Sequence, residues 1–250
     1  MTNRASTLVQ LGITGLALLV VTLVGVAVFR FVGRRPALWF VLGATAWLAF
    51  TAVLGLGGFF SQFEAFPPRL ALLLVPTLVL PLRLGFSRTG AQLANVPLAL
   101  LVGFHAFRLP LELVMHQAAA VDVMPPQMTY TGLNFDITTG ISSVLVAVLI
   151  ARGRAPRWLV LAWNAWGTLM LVTIVTIAVA SLPTFAAFGQ EPARLNTWVA
   201  YFPFVWLPAG LVSAAVLGHV LLWRRLLSYG MRGRDFADQS SDRGRLFRHG

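Results

Sequence analysis

Arg108, Glu112 and His116 follow one another at four-residue intervals in "FRLPLELVMH", residues 107–116, and His105 stands three positions earlier. At 100° per residue, with Arg108 at zero, Glu112 falls at about 40°, His105 at about 60° and His116 at about 80°. One face of one helix therefore carries a guanidinium, a carboxyl and two imidazoles. Such a set can hold an anion on the arginine, exchange protons through the carboxyl and imidazoles, or ligate a cation. Arg108 and Glu112, at i and i+4, are also spaced to pair with each other. Pro110 falls near 200°, on the opposite side, where it frees the carbonyl of Ala106 and predicts a kink.

A second group lies in "GLNFDITTG", residues 132–140. Asn134 or Asp136 can cap a helix that starts here, with Thr138 and Thr139 in its first turn. Alternatively, Asp136 turns into the bundle and completes an outward-facing site with His116, Glu112 and Arg108. His116, Glu112 and Asp136 are then the candidate metal ligands, and Arg108, Glu112, His116, Asp136 and Asn134 the candidate solute-binding or proton-relay residues. His105, His219 and Asn164 form a secondary set toward the other end of the bundle. His116 and His219 are separated in depth by on the order of 20 Å and cannot share one ion. His105 and His219 are nearer in depth and can flank a haem. Asn164, in "AWNAWG", reads as a cross-bundle hydrogen-bonding group.

These residues sit in a chain built for a membrane. Hydrophobic residues make up 58% of its 250 positions and charged ones 11%, against roughly 25% charged in soluble domains. No cysteine is present, which excludes thiolate metal sites, Fe–S clusters and disulfides. All 19 basic residues are arginine. Without lysine there is no retinal Schiff base and no Walker loop. The net charge of +11 does not point to nucleic acid, because the arginines cluster between apolar segments and at the C-terminus.

Apolar runs predict an all-α polytopic bundle of seven transmembrane helices, at roughly 8–31, 37–60, 68–84, 95–119, 136–151, 158–182 and 198–223. The count is six if the short third segment, interrupted by Pro76 and Pro81, does not span. With seven spans, fifteen arginines fall on one side and Arg4, Arg69 and Arg194 on the other. The positive-inside rule then predicts the N-terminus outside and the C-terminus in the cytoplasm, in a bacterial inner membrane. Residues 1–223 form the expected transmembrane domain. Residues 224–250 read as a basic cytoplasmic tail that touches anionic headgroups through Arg224 and Arg225.

In the last segment, "YFPFVWLPAG" spaces Pro203 and Pro208 five residues apart, a pattern for a broken helix. Gly210, Ala214 and Gly218 below it form a small-residue ridge suited to close helix contact. Three classes of function follow. The polar stripe binds a small polar or anionic solute or relays protons; it forms a membrane enzyme site with a carboxylate and histidines; or it is architectural, in an accessory subunit that docks other membrane proteins or itself. The lipid bilayer is the one partner common to all three.

Overall fold

Backbone groups in hydrocarbon must be satisfied within the chain, so long apolar runs become helices. The computed structural model describes residues 7–231, and among these the regular structure is helical throughout. In chain order the helices are α1 (Thr7–Phe31), α2 (Arg34–Leu56), α3 (Ala71–Phe86), α4 (Arg88–Leu93), α5 (Leu98–Gly103), α6 (Arg108–Ala120), α7 (Ile137–Ala151), α8 (Arg157–Ala180) and α9 (Ser213–Met231). A 3₁₀ turn, Phe104–Phe107, joins α5 to α6, and a π-helical turn, Leu207–Val212, leads into α9.

Five of these stretches are long and apolar enough to cross a membrane: α1, α2, the joined α5–α6, α8, and the π turn with α9. The seven expected spans thus resolve into five long helices and two shorter apolar ones, α3 with 16 residues and α7 with 15. The last long helix starts nine residues later than expected, at Leu207; residues 198–206 contain only a 3₁₀ turn and irregular chain. It also runs through the expected 223/224 boundary to Met231, and the remainder of the tail, 232–250, lies outside the described residues. Arg224 donates to the carbonyls of Gly85 and Ser87, and Arg225 to those of Ala94 and Val96. These two arginines bind the ends of α3 and α4 and the turn after α4.

The segment of α9 and its π turn is the most buried of the five, and α2 the least. α3 packs along α9, α1 along α2 and α6, and α5 along α7. Proline-freed carbonyls are taken up by neighbours. Pro81 inside α3 leaves the Thr77 carbonyl without its helical donor, and the Ser213 hydroxyl of α9 donates to it at 3.0 Å. Pro110 acts the same way on α5–α6. The Ala106 carbonyl loses its i+4 donor, and the chain tightens to 3₁₀ over Phe104–Phe107, where the Arg108 N–H turns to the carbonyls of His105 and Ala106.

The feature that positions the polar residues is the short α7. A Cβ on Gly140 would stand 2.5 Å from the Leu109 nitrogen, and one on Gly103 would stand 3.4 Å from the Ala147 Cβ. The two helices therefore run antiparallel in close contact, and α7 begins beside Arg108, midway along the α5–α6 span. Between Ala120 and Ile137 the chain folds back down the upper half of α6. It sets Tyr130 against His116, Asn134 against Glu112 and Asp136 against Arg108.

Candidate functional site

Arg108 is buried at the centre of its span, 1% exposed. A charge there needs a partner, and it finds one in Asp136: Nη1 donates to Oδ1 at 2.5 Å and also approaches the Gly167 carbonyl of α8 at 3.5 Å. The expected Arg108–Glu112 pair is not formed. Asp136 displaces it because α7 starts at the depth of Arg108, which places a carboxylate beside the guanidinium from a second element. Asp136 stands at the N-cap position of α7, but its side chain makes no capping bond. Of the two roles open to it, the inward one is observed.

Asn134 sets this geometry. Its Oδ1 accepts from the Asp136 N–H at 3.1 Å, an Asx-type turn. The oxygen being committed, its amide nitrogen faces Glu112 and donates to both carboxyl oxygens, at 2.9 and 3.0 Å, and to the Met128 carbonyl at 3.2 Å. Glu112 and Asn134 are both buried. Among the described residues no cationic side chain lies within ion-pair distance of Glu112.

His116 stands apart from this cluster. It is half-buried, and its ring stacks on Tyr130 with centroids 4.7 Å apart. The expected metal set of His116, Glu112 and Asp136 is corrected accordingly. Among the described residues no three His, Asp or Glu side chains gather as a metal site would require. Glu112 and Asp136 are held by Asn134 and Arg108, and the histidine is one helical turn above Glu112.

His105 and His219 do meet. Both are buried, their rings lie 4.2 Å apart at 35°, and Trp163 covers His105 edge-on at 5.4 Å. His219 Nδ1 pairs with Asn164 Oδ1 at 2.8 Å, so Asn164 bridges α8 to α9. The expectation that these histidines flank a haem is corrected: rings stacked on each other leave no slot for a macrocycle between them. Two glycines make room for the pair. A Cβ on Gly218 would stand 2.6 Å from His105 Nε2, and one on Gly167 would stand 2.5 Å from His219 Cε1. Gly218 thus serves the histidine stack, whereas Gly210 faces Ala17 and Leu48 of α1 and α2. We expect Gly218→Ala to destabilise the protein by about 1–3 kcal/mol. His105→Ala in the same chain should relieve part of that cost, visible as a coupling of at least about 0.5 kcal/mol in a double-mutant cycle. Additive unfolding free energies in mixed micelles would show that the two sites do not touch.

Beside Arg108 lies a cavity of about 110 Å³, apolar along most of its wall. Its lining comes from α3, α6, α8, the π turn and α9, with Arg108, Glu112 and Asp136 among the few polar contributors. Asn196 and Trp198 supply two more; both are buried, and Asn196 Oδ1 and Trp198 Nε1 have no hydrogen-bond partner. Sequence reasoning passed over these two. Asn196 falls in the loop before the seventh expected span and Trp198 at that span's first position; the fold against the end of α8, through Asn196 N–H to the Ser181 carbonyl, brings them inward. On the side of α3 and α8 the lining residues reach the surface: Leu78 is exposed and Leu74, Ile174 and Val175 are half-buried. These two helices both border the cavity but share no extensive interface.

Arg108 itself is only partly satisfied. Nη1 has two acceptors, whereas Nε and Nη2 are buried without any. Those two nitrogens form the side-on edge of the guanidinium, the edge that binds two acceptor oxygens in parallel. The chain matches no known protein family, and no curated protein or solved structure is significantly similar to it.

Proposed function

We propose that this protein is a membrane-embedded binding protein for a small molecule that seats a polar end on Arg108 and its apolar body in the adjoining cavity. What supports the reading is one conjunction: Arg108, with two buried guanidinium nitrogens that lack an acceptor, is among the residues lining an apolar cavity. Binding sites for small molecules have this composition, apolar walls with a few fixed polar groups. Asp136 and Asn134 hold the arginine and Glu112 in place, and Glu112, close by, is the group that exchanges a proton with a ligand. A polar solute without an apolar body fits the wall poorly, which narrows the class to amphiphiles. The arginine distribution supports an orientation with the N-terminus outside and the tail in the cytoplasm of a bacterial inner membrane.

The test is native mass spectrometry of the protein purified in a mild detergent. A bound small molecule is expected at one per chain. It should disappear in Ala178→Phe, which fills the cavity from α8. It should also disappear in Arg108→Met/Asp136→Leu, which removes both charges together and leaves no ion unpaired. Thermal unfolding of both variants checks that they remain folded. Retention of the molecule by a folded Arg108→Met/Asp136→Leu protein would end this reading.

A further inference from the structure

The charge balance at Arg108 restricts the ligand further. Asp136 already neutralises the guanidinium through Nη1. The vacant requirement at Nε and Nη2 is for hydrogen-bond acceptors, not for a second negative charge. An anion seated there would add net charge to a buried site that also contains the Glu112 carboxyl, and uncompensated charge in such surroundings is expensive. A neutral carbonyl or ester oxygen satisfies the same nitrogens without that cost.

The cavity says how such a molecule arrives. Its least covered side is that of α3 and α8, at Leu74, Leu78, Ile174 and Val175, all apolar, on the short apolar α3 and on α8, a helix long and apolar enough to cross a membrane. About 110 Å³ is comparable with cavities that hold a single small ring or a short alkyl segment. A longer chain must therefore extend out through the gap. In a bilayer crossed by α8 this apolar gap would open to hydrocarbon, so the path suits a molecule already dissolved in the bilayer.

From these observations we infer that the ligand is a neutral, lipid-soluble carbonyl compound that enters sideways from the membrane between α3 and α8 and places its oxygen on the free edge of Arg108. The inference rests on the binding reading above and specifies its substrate class.

Its test uses the intact protein in nanodiscs and tritiated 2-dodecanone as probe, with empty nanodiscs as the blank. Saturable retention is expected. Unlabelled 2-dodecanone should displace it at equal membrane mole fraction, whereas dodecane, which lacks an acceptor, and dodecyl sulfonate, which is a permanent anion, should not. Arg108→Met/Asp136→Leu should weaken retention by about tenfold or more, as loss of hydrogen bonds to a charged group implies. Val175→Trp, at the gap, should slow or abolish it while the chain stays folded by thermal unfolding. If dodecyl sulfonate displaces the ketone better than the ketone itself, the neutral class is wrong and the cavity remains a binding site. Full retention in a folded Val175→Trp protein would refute the sideways path alone. If the folded protein retains neither probe, and native mass spectrometry finds no bound molecule, both readings fail.

Discussion

Asp136→Ala is expected to destabilise the protein by about 3–5 kcal/mol, the usual cost of removing one partner from a buried ion pair. The reason is the isolation of what remains. Arg108 is buried at mid-span, its Nη1 would keep only the long contact to the Gly167 carbonyl, and its Nε and Nη2 already lack acceptors. Arg108→Met alone should cost a similar amount by stranding the Asp136 carboxylate. Arg108→Met/Asp136→Leu should cost far less than the two single changes together, because a well-packed apolar pair replaces an ion pair with little net loss. Unfolding free energies in mixed micelles close the cycle. Additivity of the single effects would mean that the two side chains do not depend on each other, and the description of the site would then be wrong.

Gly140→Ala should be the next most damaging change, and it tests a different element. The added Cβ would lie 2.5 Å from the Leu109 nitrogen, 3.0 Å from its Cα and 3.1 Å from the Arg108 carbonyl carbon. All three are backbone atoms, so no side chain can swing away and α7 must move off α6. We expect a loss of about 1–3 kcal/mol, toward the upper end. Retention of 2-dodecanone should fall with it, since the displacement separates Asp136 from Arg108. Gly43→Ala in α2 is the matched control: a Cβ there meets nothing within 4 Å, and alanine is the better helix former. Equal behaviour of the two variants would remove the close α6–α7 contact from the account.

How far these features were legible in the sequence differs from element to element. The extents of α1, α2 and α8 are close to those read from apolar runs, because a run of that length has no other way to satisfy its backbone in hydrocarbon. Prolines marked the irregular places in α5–α6 and before α9, although the local form, a 3₁₀ turn in one and a π turn in the other, depends on which neighbours receive the freed carbonyls. Helical spacing grouped Arg108, Glu112 and His105 on one face, and all three are buried. The same spacing suggested the wrong partner for Arg108, since periodicity describes one helix at a time and is blind to where the next one starts. Asn134 was a capping candidate by type. Its actual work, committing its oxygen to the Asp136 N–H and its nitrogen to Glu112, follows from the path of residues 121–136 back into the bundle. Nothing in "LNTW" announced that Asn196 and Trp198 would line a cavity.

The returning stretch before α7 also bears on how the protein is made. During synthesis the span 98–120 leaves the ribosome before Asp136 does, with a guanidinium and a carboxyl at its middle and neither of the partners they have in the finished fold. Lipid is a poor host for that segment by itself. It is best released into the bilayer as a hairpin with the helix that follows, once Asn134 and Asp136 have joined it. Biogenesis, on this view, waits at one step for some thirty residues to be assembled side by side, and substitutions that merely weaken the finished fold at 108 or 136 would show first as failed integration.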